Sequence, residues 1–384
     1  MFYLIGVVIA FFLVAILLTK RQKTQADWIL MGWLSAGGIH LTAYFLFIQN
    51  LHLQYPVILP ISMPLPLFQG PFLFLYTKAL TSKQKLKWQQ ALHFLPILLA
   101  YIMFAPFFLL PFDEKVKVIE NEGAPYLTES LINIIAVYIS GFVYVIISFI
   151  TILRYKRNML NQFSNTEKVN YNWLLYLIIW LAVLWIIILF VQYDEVIFGA
   201  AVIFIVWLGY FGIKNVQVFS QHKPHAFAGK PDFEMLLADL NNYAGDDAAD
   251  EQLSADTKYV GSVLSKSAIE SIQLALKELM GQNKIYTNPD LTLDDLAEMI
   301  KVHPNHLSQV INSVMGKTFY DYINELRVKE FTEQINLPQK QQFTILAIAF
   351  DCGFNSKASF YRNFKKFTGL TPSDYMQMHN KLQN

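Results

Sequence analysis

The chain has 384 residues, a net charge of +1, and a composition that is 54% hydrophobic, 15% aromatic and only 15% charged. Soluble globular proteins carry about 25% charged residues, so the composition excludes a single soluble domain, and it equally excludes a disordered chain. Cys352 stands alone, which excludes an intramolecular disulfide and a cysteine-built metal cluster.

From Met1 to Ile213 apolar runs dominate. Seven of them are long enough for a helix to cross a bilayer, which takes about 20 residues. They lie near Phe2–Leu18, Trp28–Gln49, Val57–Leu80, Ala91–Leu110, Leu131–Leu153, Trp173–Val191 and Val196–Ile213. The first has no basic segment before it, its cations Lys20, Arg21 and Lys23 come after it, and no small-residue cleavage pattern follows. It therefore reads as a retained span and not as a signal peptide.

Charge sets the orientation. Alternate connections hold Lys20, Arg21 and Lys23; Lys78, Lys83, Lys85 and Lys87; Arg154, Lys156, Arg157 and Lys168; and Lys214. The connections between them hold only Lys115 and Lys117, among Asp113, Glu114, Glu120, Glu122, Glu129, Asp194 and Glu195. Cations accumulate on the cytoplasmic side, so the N-terminus is expected outside and the C-terminal half in the cytoplasm. The expected location is the cytoplasmic membrane of a bacterium.

The middle of every span lacks Asp, Glu, Lys and Arg, the residues that pumps and ion-coupled carriers keep at depth. No lysine precedes Lys214 in the seventh span, which excludes a retinal Schiff base there, and no H-E-x-x-H pair is present. No catalytic, cofactor-binding or metal-ligating residue is expected. His40, near the centre of the second span, either bonds a neighbouring helix or senses a ligand. The third span carries Pro56, Pro60, Pro64, Pro66 and Pro71, so it must be kinked or broken, with freed carbonyls buried against protein. That break is either structural or the wall of a pocket; in the second case His40, Pro64, Pro66 and Gln69 are the candidate signal-binding residues.

After Lys214 the character changes. Residues 215–283 form an acidic connector, punctuated by Pro224, Gly229 and Pro231, with a short amphipathic turn at Phe233, Leu236, Leu237 and Leu240. A helix from about Ser267, its expected N-cap, to Met280 carries the stripe Ile269, Ile272, Leu276 and Leu279, which reads as core or as a dimer contact.

Residues 284–384 are helical and repeat one arrangement. Thr292 is the expected cap of a helix with the apolar stripe Leu293, Leu296, Ala297 and Ile300. A break at Lys301–Pro304 follows, then a helix with Leu307, Val310, Ile311 and Val314 inward and Asn305, His306, Ser308, Gln309 and Asn312 on the other faces. The second copy starts at Thr344 with Ile345, Ile348 and Ala349, and turns at Gly353. Its second helix, Ser356 to Phe367, has Phe360, Phe364 and Phe367 inward and Lys357, Tyr361, Arg362, Lys365 and Lys366 outward. One amphipathic helix, Phe319 to Ile335, separates the copies. Two helix-turn-helix units in tandem imply double-stranded DNA as partner, because a helix fits the major groove and presents polar side chains to base edges. The segment has eleven basic residues against ten acidic ones, so nonspecific affinity is expected to be modest.

These stretches resemble the AraC family of bacterial transcription regulators. The resemblance rests on Leu296-Ala297, His306 through Asn312, Phe319 through Asn324 with Arg327-Val328, Gly353-Phe354-Asn355-Ser356, and Ser359-Phe360 with Arg362 and Phe364 through Lys366. It continues in Thr368-Gly369 and in Thr371 through Tyr375. It implies that Lys357 and Arg362 make groove contacts, while the membrane half is similar to a membrane-embedded sensor subset of that family. Three positions depart from the family: Lys301 stands where glycine is usual in the turn, Phe331 replaces a small residue, and Cys352 replaces a small apolar one and reads as core.

The expected protein is all-α: a seven-helix transmembrane bundle (1–214) followed by the connector and an all-α tandem helix-turn-helix domain. Its expected partners are promoter DNA, RNA polymerase, membrane lipid, a second copy of the chain, and a small-molecule or envelope signal. The rival readings are a membrane carrier or enzyme with an attached regulatory domain, and a module that docks protein in place of DNA.

Overall fold

The computed structural model describes residues 1–82, 86–166, 172–191, 193–215, 264–340 and 342–383. Most of the acidic connector, including the turn read at Phe233–Leu240, lies outside them, as do Lys83, Lys85 and Lys168. Among the described residues the regular structure is entirely helical. The chain divides into two compact units, Met1–Tyr155 with Val169–His222, and Lys156–Lys168 with Lys223–Asn384.

Among the described residues six helical segments are long and apolar enough to cross a membrane: Phe2–Thr19, Gln25–Ile48, Ile58–Thr81, Ala124–Gln162, Asn172–Phe190 and Asp194–Phe211. They correspond to six of the seven apolar stretches. The remaining stretch, Ala91–Leu110, is not one helix but a 3-10 segment, Trp88–Phe94, followed by the short helices Leu95–Met103 and Ala105–Leu109. Pro96 and Pro106 explain the break. Each occupies the first turn of its own short helix, where a missing N–H leaves no bond unmade.

The proline-rich third stretch is broken as its sequence requires, into Ile58–Ser62, a 3-10 turn Leu65–Phe68 and Gln69–Thr81. Side chains from neighbouring segments take up the freed carbonyls. Tyr101 donates to Ile61 O at 2.8 Å and Asn133 Nδ2 to Met63 O at 3.0 Å. At the start of Gln25–Ile48, Thr24 and Asp27 form a reciprocal capping box. Asp27, 1% exposed, is neutralised by Lys20 at 2.7 Å. Leu30, Trp33, Leu34, Leu73, Tyr76, Leu177, Leu181 and Trp185 belong to the core that joins these helices. Close packing needs glycine at position 141, where a Cβ would lie 2.3 Å from the Trp185 indole.

The second unit has two apolar cores strung on one helix. Phe319–Gln334 inserts Phe319 and Ile323 into the first core, with Leu296, Leu307 and Ile311, and Val328 and Phe331 into the second, with Ile348, Phe360 and Phe364. Lys266–Gln282 belongs to the first core. Its N-cap is Ser265, which accepts from Ala268 N, two residues before the serine read from sequence. Ile272, Leu276 and Leu279 are 5%, 0% and 2% exposed inside this core, so the alternative reading of the stripe as a dimer contact falls. Phe331 repacks the second core around itself, its ring 4.7 Å from that of Phe360 and 5.5 Å from that of Phe364. Cys352 is fully buried, and burial pushes its thiol up to about 12, so it stays a neutral core group.

Between the cores sits Arg327, 1% exposed. Its Nε donates to Tyr286 O at 2.7 Å and its Nη2 to Asn288 O at 2.7 Å and Ser164 Oγ at 3.1 Å. Nη1 reaches Ser164 O and Asn324 Oδ1, each at 3.4 Å. Burial pulls the guanidinium down to about 10, against the opposite pull of Tyr320 and Asp290, so it remains charged at neutral pH. Ser164 belongs to the short segment Lys156–Lys168, the part of the N-terminal half that folds into this unit. Its N–H and hydroxyl both donate to Leu291 O, and Phe163 pairs with Thr292 in an antiparallel bridge. One turn along the central helix, Glu330 accepts from Lys284, Tyr286 and Gln334. Burial opposes its ionisation, but those hydrogen bonds win and hold its carboxyl below the ordinary value, while the same bond raises Lys284.

Replacing Ser164 by alanine removes one acceptor from a buried charge and should cost the second unit about 1–3 kcal/mol. Arg327→Lys should cost about 3–5 kcal/mol, because one ammonium cannot span the three segments that the planar fork joins. The urea midpoint of protease cleavage within residues 264–383 of the full-length chain measures both, and unchanged midpoints would show that this junction contributes nothing.

Candidate nucleic-acid interface

The first helix-turn-helix unit is built by local caps. Thr292 Oγ1 accepts from Asp295 N at 3.1 Å, and Asp295 Oδ2 accepts from Thr292 N at 3.0 Å, which fixes the start of Leu293–Met299. The chain then turns through Lys301 at φ 53°, the left-handed conformation that its usual glycine would adopt freely. His303 Nδ1 accepts from Asn305 N at 3.2 Å and caps Pro304–Gln309. Leu307, Val310 and Ile311 face the core with no exposure.

A single wide turn, Val310–Val314, continues this helix with i→i+5 bonding. It adds a residue to the turn and shifts the register. Val314 is therefore 45% exposed and not inward as its spacing implied, and Met315 packs on the core in its place. On the outer surface Asn305 and Gln309 are exposed, while His306, Ser308 and Asn312 are half-buried. The Asn312 amide donates to Ser308 O at 2.8 Å and is 3.0 Å from Ser308 Oγ, so these two side chains are tied to each other.

In the second unit Thr344 caps Ile345–Asp351 and Ser356 caps Lys357–Thr368. Gly353, between them, has φ 97°, and a Cβ there would lie 2.7 Å from both Tyr286 O and Thr287 O. The turn therefore needs glycine both for its dihedral and for backbone approach. Phe360 and Phe364 face inward, and Gly369 ends the helix at φ 78°. Lys357, Arg362, Lys365 and Lys366 are exposed on the opposite side, with Tyr361 half-buried beneath Lys357, whose Nζ lies 5.5 Å from its ring centre.

The central helix reaches this surface. Tyr320 OH accepts from Arg362 Nη2 at 2.9 Å and from Asn363 Nδ2 at 2.7 Å. Lys366 Nζ pairs with Asp321 Oδ1 at 2.6 Å. Tyr320 and Asn363 thus orient the arginine that the sequence singled out, a role that no local pattern reveals across a separation of 42 positions. Arg362 is presented by a fixed support, whereas Lys366 already has a carboxylate partner on the protein.

Of the residues considered for a signal pocket, His40, Pro66 and Gln69 share the wall of one cavity in the first unit, and Pro64 does not line it.

The family model described as "Helix-turn-helix domain" matches residues 296–378, which spans both units. The chain is 32% identical over 88 residues to the melibiose operon regulatory protein of Escherichia coli (strain K12), covering 23% of this chain and 28% of that protein. It is 34% identical over 92 residues to an uncharacterized HTH-type transcriptional regulator of Staphylococcus aureus (strain COL), covering 24% of this chain and 12% of that one. A solved protein of unknown function from Listeria innocua is 30% identical, with 28% of this chain and 95% of that one covered, at a TM-score of 0.24. The chain thus spans under a third of the length of the curated relatives it matches. Residues 296–378 form a helix-turn-helix domain similar to those of transcription regulators.

A left-handed non-glycine residue costs about 1–2 kcal/mol, and glycine gives back about 0.5–1 kcal/mol through the unfolded chain. Lys301→Gly should therefore stabilise residues 264–383 by about 0.5–1 kcal/mol, read as a higher urea midpoint of the full-length chain. A lower midpoint would show that the lysine side chain holds this turn.

Proposed function

We propose that the chain is a membrane-bound one-component transcription regulator of the AraC type. Its first unit spans the cytoplasmic membrane of a bacterium and senses a signal, and its second unit binds promoter DNA sequence-specifically. The observation that carries the reading is the pair of capped helix-turn-helix units on one central helix, each presenting a polar second helix, within a match to a helix-turn-helix domain. The name of the melibiose regulator, which refers to control of an operon, supports transcription as the output. Six long apolar helices, with the broken apolar stretch Trp88–Leu109 as a seventh crossing, and the alternation of Lys and Arg between the connections of these seven stretches support the membrane placement. RNA polymerase, lipid and a second copy of the chain are the partners this reading requires.

Each second helix enters the major groove with its outer face. Asn305 and Gln309 are the exposed amides of the first unit, suited to adenine edges. In the second helix-turn-helix unit Arg362, steadied by Tyr320, and Lys357 contact base edges in the groove, while Lys365 neutralises a phosphate and helps set register. Near-balanced charge in residues 284–384 keeps nonspecific binding weak, so discrimination rests on these few side chains. The signal has a covalent route. The helix Leu127–Gln162 leads directly into Phe163 and Ser164, and Ser164 is bound to Arg327.

Arg362→Ala should weaken binding to the cognate site by about 1–3 kcal/mol and relax one base position. Lys365→Ala should weaken all sequences alike and lower the salt slope by about one. Capture of genomic fragments by the full-length chain, wild type and variants, measures both; unchanged capture with both replaced removes the second unit from the interface.

The orientation has its own check. A reporter active only in the cytoplasm should work when fused after Ile213 and stay silent after Asp113, and the reverse result would overturn the membrane placement.

A further inference from the structure

We propose that the first unit contains a binding site for a neutral hydrophobic molecule bearing a hydrogen-bond-accepting oxygen, of the class of medium-chain ketones, esters or lactones. The inference rests on the sensor reading above and gives it a ligand class. The helices Gln25–Ile48, Leu127–Gln162, Asn172–Phe190 and Asp194–Asn215 and the proline-broken segment together enclose a cavity of about 210 Å³. At about 10–15 Å³ per water-sized centre, it has room for on the order of fifteen heavy atoms. Its walls are aliphatic and aromatic, with Leu34, Leu41, Leu181 and Phe204 among them, and contain no Asp, Glu, Lys or Arg. A charged occupant would have no counter-ion there, and burying it unpaired is prohibitive. The ligand is therefore neutral.

Two polar groups in the wall, the Trp185 indole and the Gln69 amide, offer N–H donors, while a neutral His40 offers one donor and one acceptor. Trp185 is 2% exposed, and its Nε1–H has no acceptor among the described residues. A buried N–H without an acceptor is a strong anomaly, since nearly all are paired. Its indole is seated by Gly141, whose missing Cβ leaves the room it occupies. Gln69 adds a second donor by elimination. Trp33 Nε1 donates to Gln69 Oε1 at 2.6 Å, and an indole nitrogen only donates. The amide orientation is therefore set, and Nε2 is the donor it keeps. His40 completes the polar lining, edge-to-face with Phe198 at 5.0 Å. An apolar chamber with a few N–H-bearing side chains in its wall selects an apolar ligand by burial and an oxygen acceptor by hydrogen bonding. In the proposed orientation these residues lie in the outer half of the bundle. His40 is nearer Ile48 than Gln25, and Trp185 is nearer Phe190 than Asn172.

The experiment uses the full-length chain in phosphatidylethanolamine–phosphatidylglycerol nanodiscs with tritiated 2-undecanone as probe, displaced by unlabelled 2-undecanone or by undecane. The expected result is a saturable, displaceable site, with undecane competing about tenfold more weakly, the equivalent of one hydrogen bond. Trp185→Phe keeps most of the ring and removes the N–H, and should weaken the ketone about tenfold while leaving undecane unchanged. Ala201→Leu, which fills the cavity, should abolish displaceable binding of the ketone. No saturable binding, equal competition by undecane, or binding indifferent to both substitutions overturns the site. Failure of binding in a chain that keeps the cytoplasmic-reporter pattern and fragment capture overturns the pocket alone. Failure of those two assays with saturable binding intact supports the pocket and overturns the sensor reading.

Discussion

A buried guanidinium must find partners for a planar fork of five donors, and Arg327 finds them on three separate pieces of chain. The backbone carbonyls of Tyr286 and Asn288 come from the segment that joins Lys266–Gln282 to the first helix-turn-helix unit. Ser164 supplies a carbonyl and a hydroxyl from the connection between the long apolar helices Ala124–Gln162 and Asn172–Phe190. Because the charge remains at neutral pH, losing any of these acceptors leaves part of it unsolvated, so the three segments hold position together. The same two-residue stretch, Tyr286-Thr287, is what Gly353 packs against, which carries the constraint into the turn of the second unit.

From that junction the DNA-facing geometry follows along the central helix. Its first turns close one apolar core and its later turns close the other, so neither helix-turn-helix unit is packed without it. Tyr320, about two turns before Arg327, supports Arg362 and Asn363, and Asp321 beside it engages Lys366. A side chain held this way loses less rotamer freedom on binding a partner than a loose one, which raises the affinity of any complex it forms. The contacts of the central helix with Ser164, through Arg327, and with Arg362, through Tyr320, thus fall within one run of it, from Tyr320 to Arg327.

The first unit solves a different problem. Prolines in two of its apolar stretches leave backbone carbonyls without partners, and Tyr101 and Asn133 return hydrogen bonds to Ile61 and Met63. Irregular backbone packed in this way makes room that straight helices would have filled, and the cavity lies against it at Pro66 and Gln69. A dry chamber lined with leucine would hold any hydrocarbon. The Trp185 N–H makes it chemically selective.

The sequence by itself determined what is decided within a few residues. Apolar run length and the placement of Lys and Arg mark the long helices and their connections. Thr292, Thr344, Ser356 and Gly369 mark helix ends because a cap bonds a backbone group at most four positions away. Lys301 was marked as a left-handed position by the resemblance, in which glycine is usual there. What only the tertiary structure decided depends on partners far along the chain. The wide turn that exposes Val314 belongs to a helix carrying a second-unit core side chain every turn, and spacing alone assumes a regular helix. Ala91–Leu110 has the hydropathy of a span, yet its prolines divide it, since composition does not encode where a backbone bond is lost. The stripe on Lys266–Gln282 is core because another apolar face covers it, which periodicity cannot show. Ser164 and Arg327 lie 163 positions apart, and the unpaired N–H of Trp185 exists only because the helices around it close before an acceptor arrives. Local sequence fixes which groups a segment offers, and only packing fixes which of them meet.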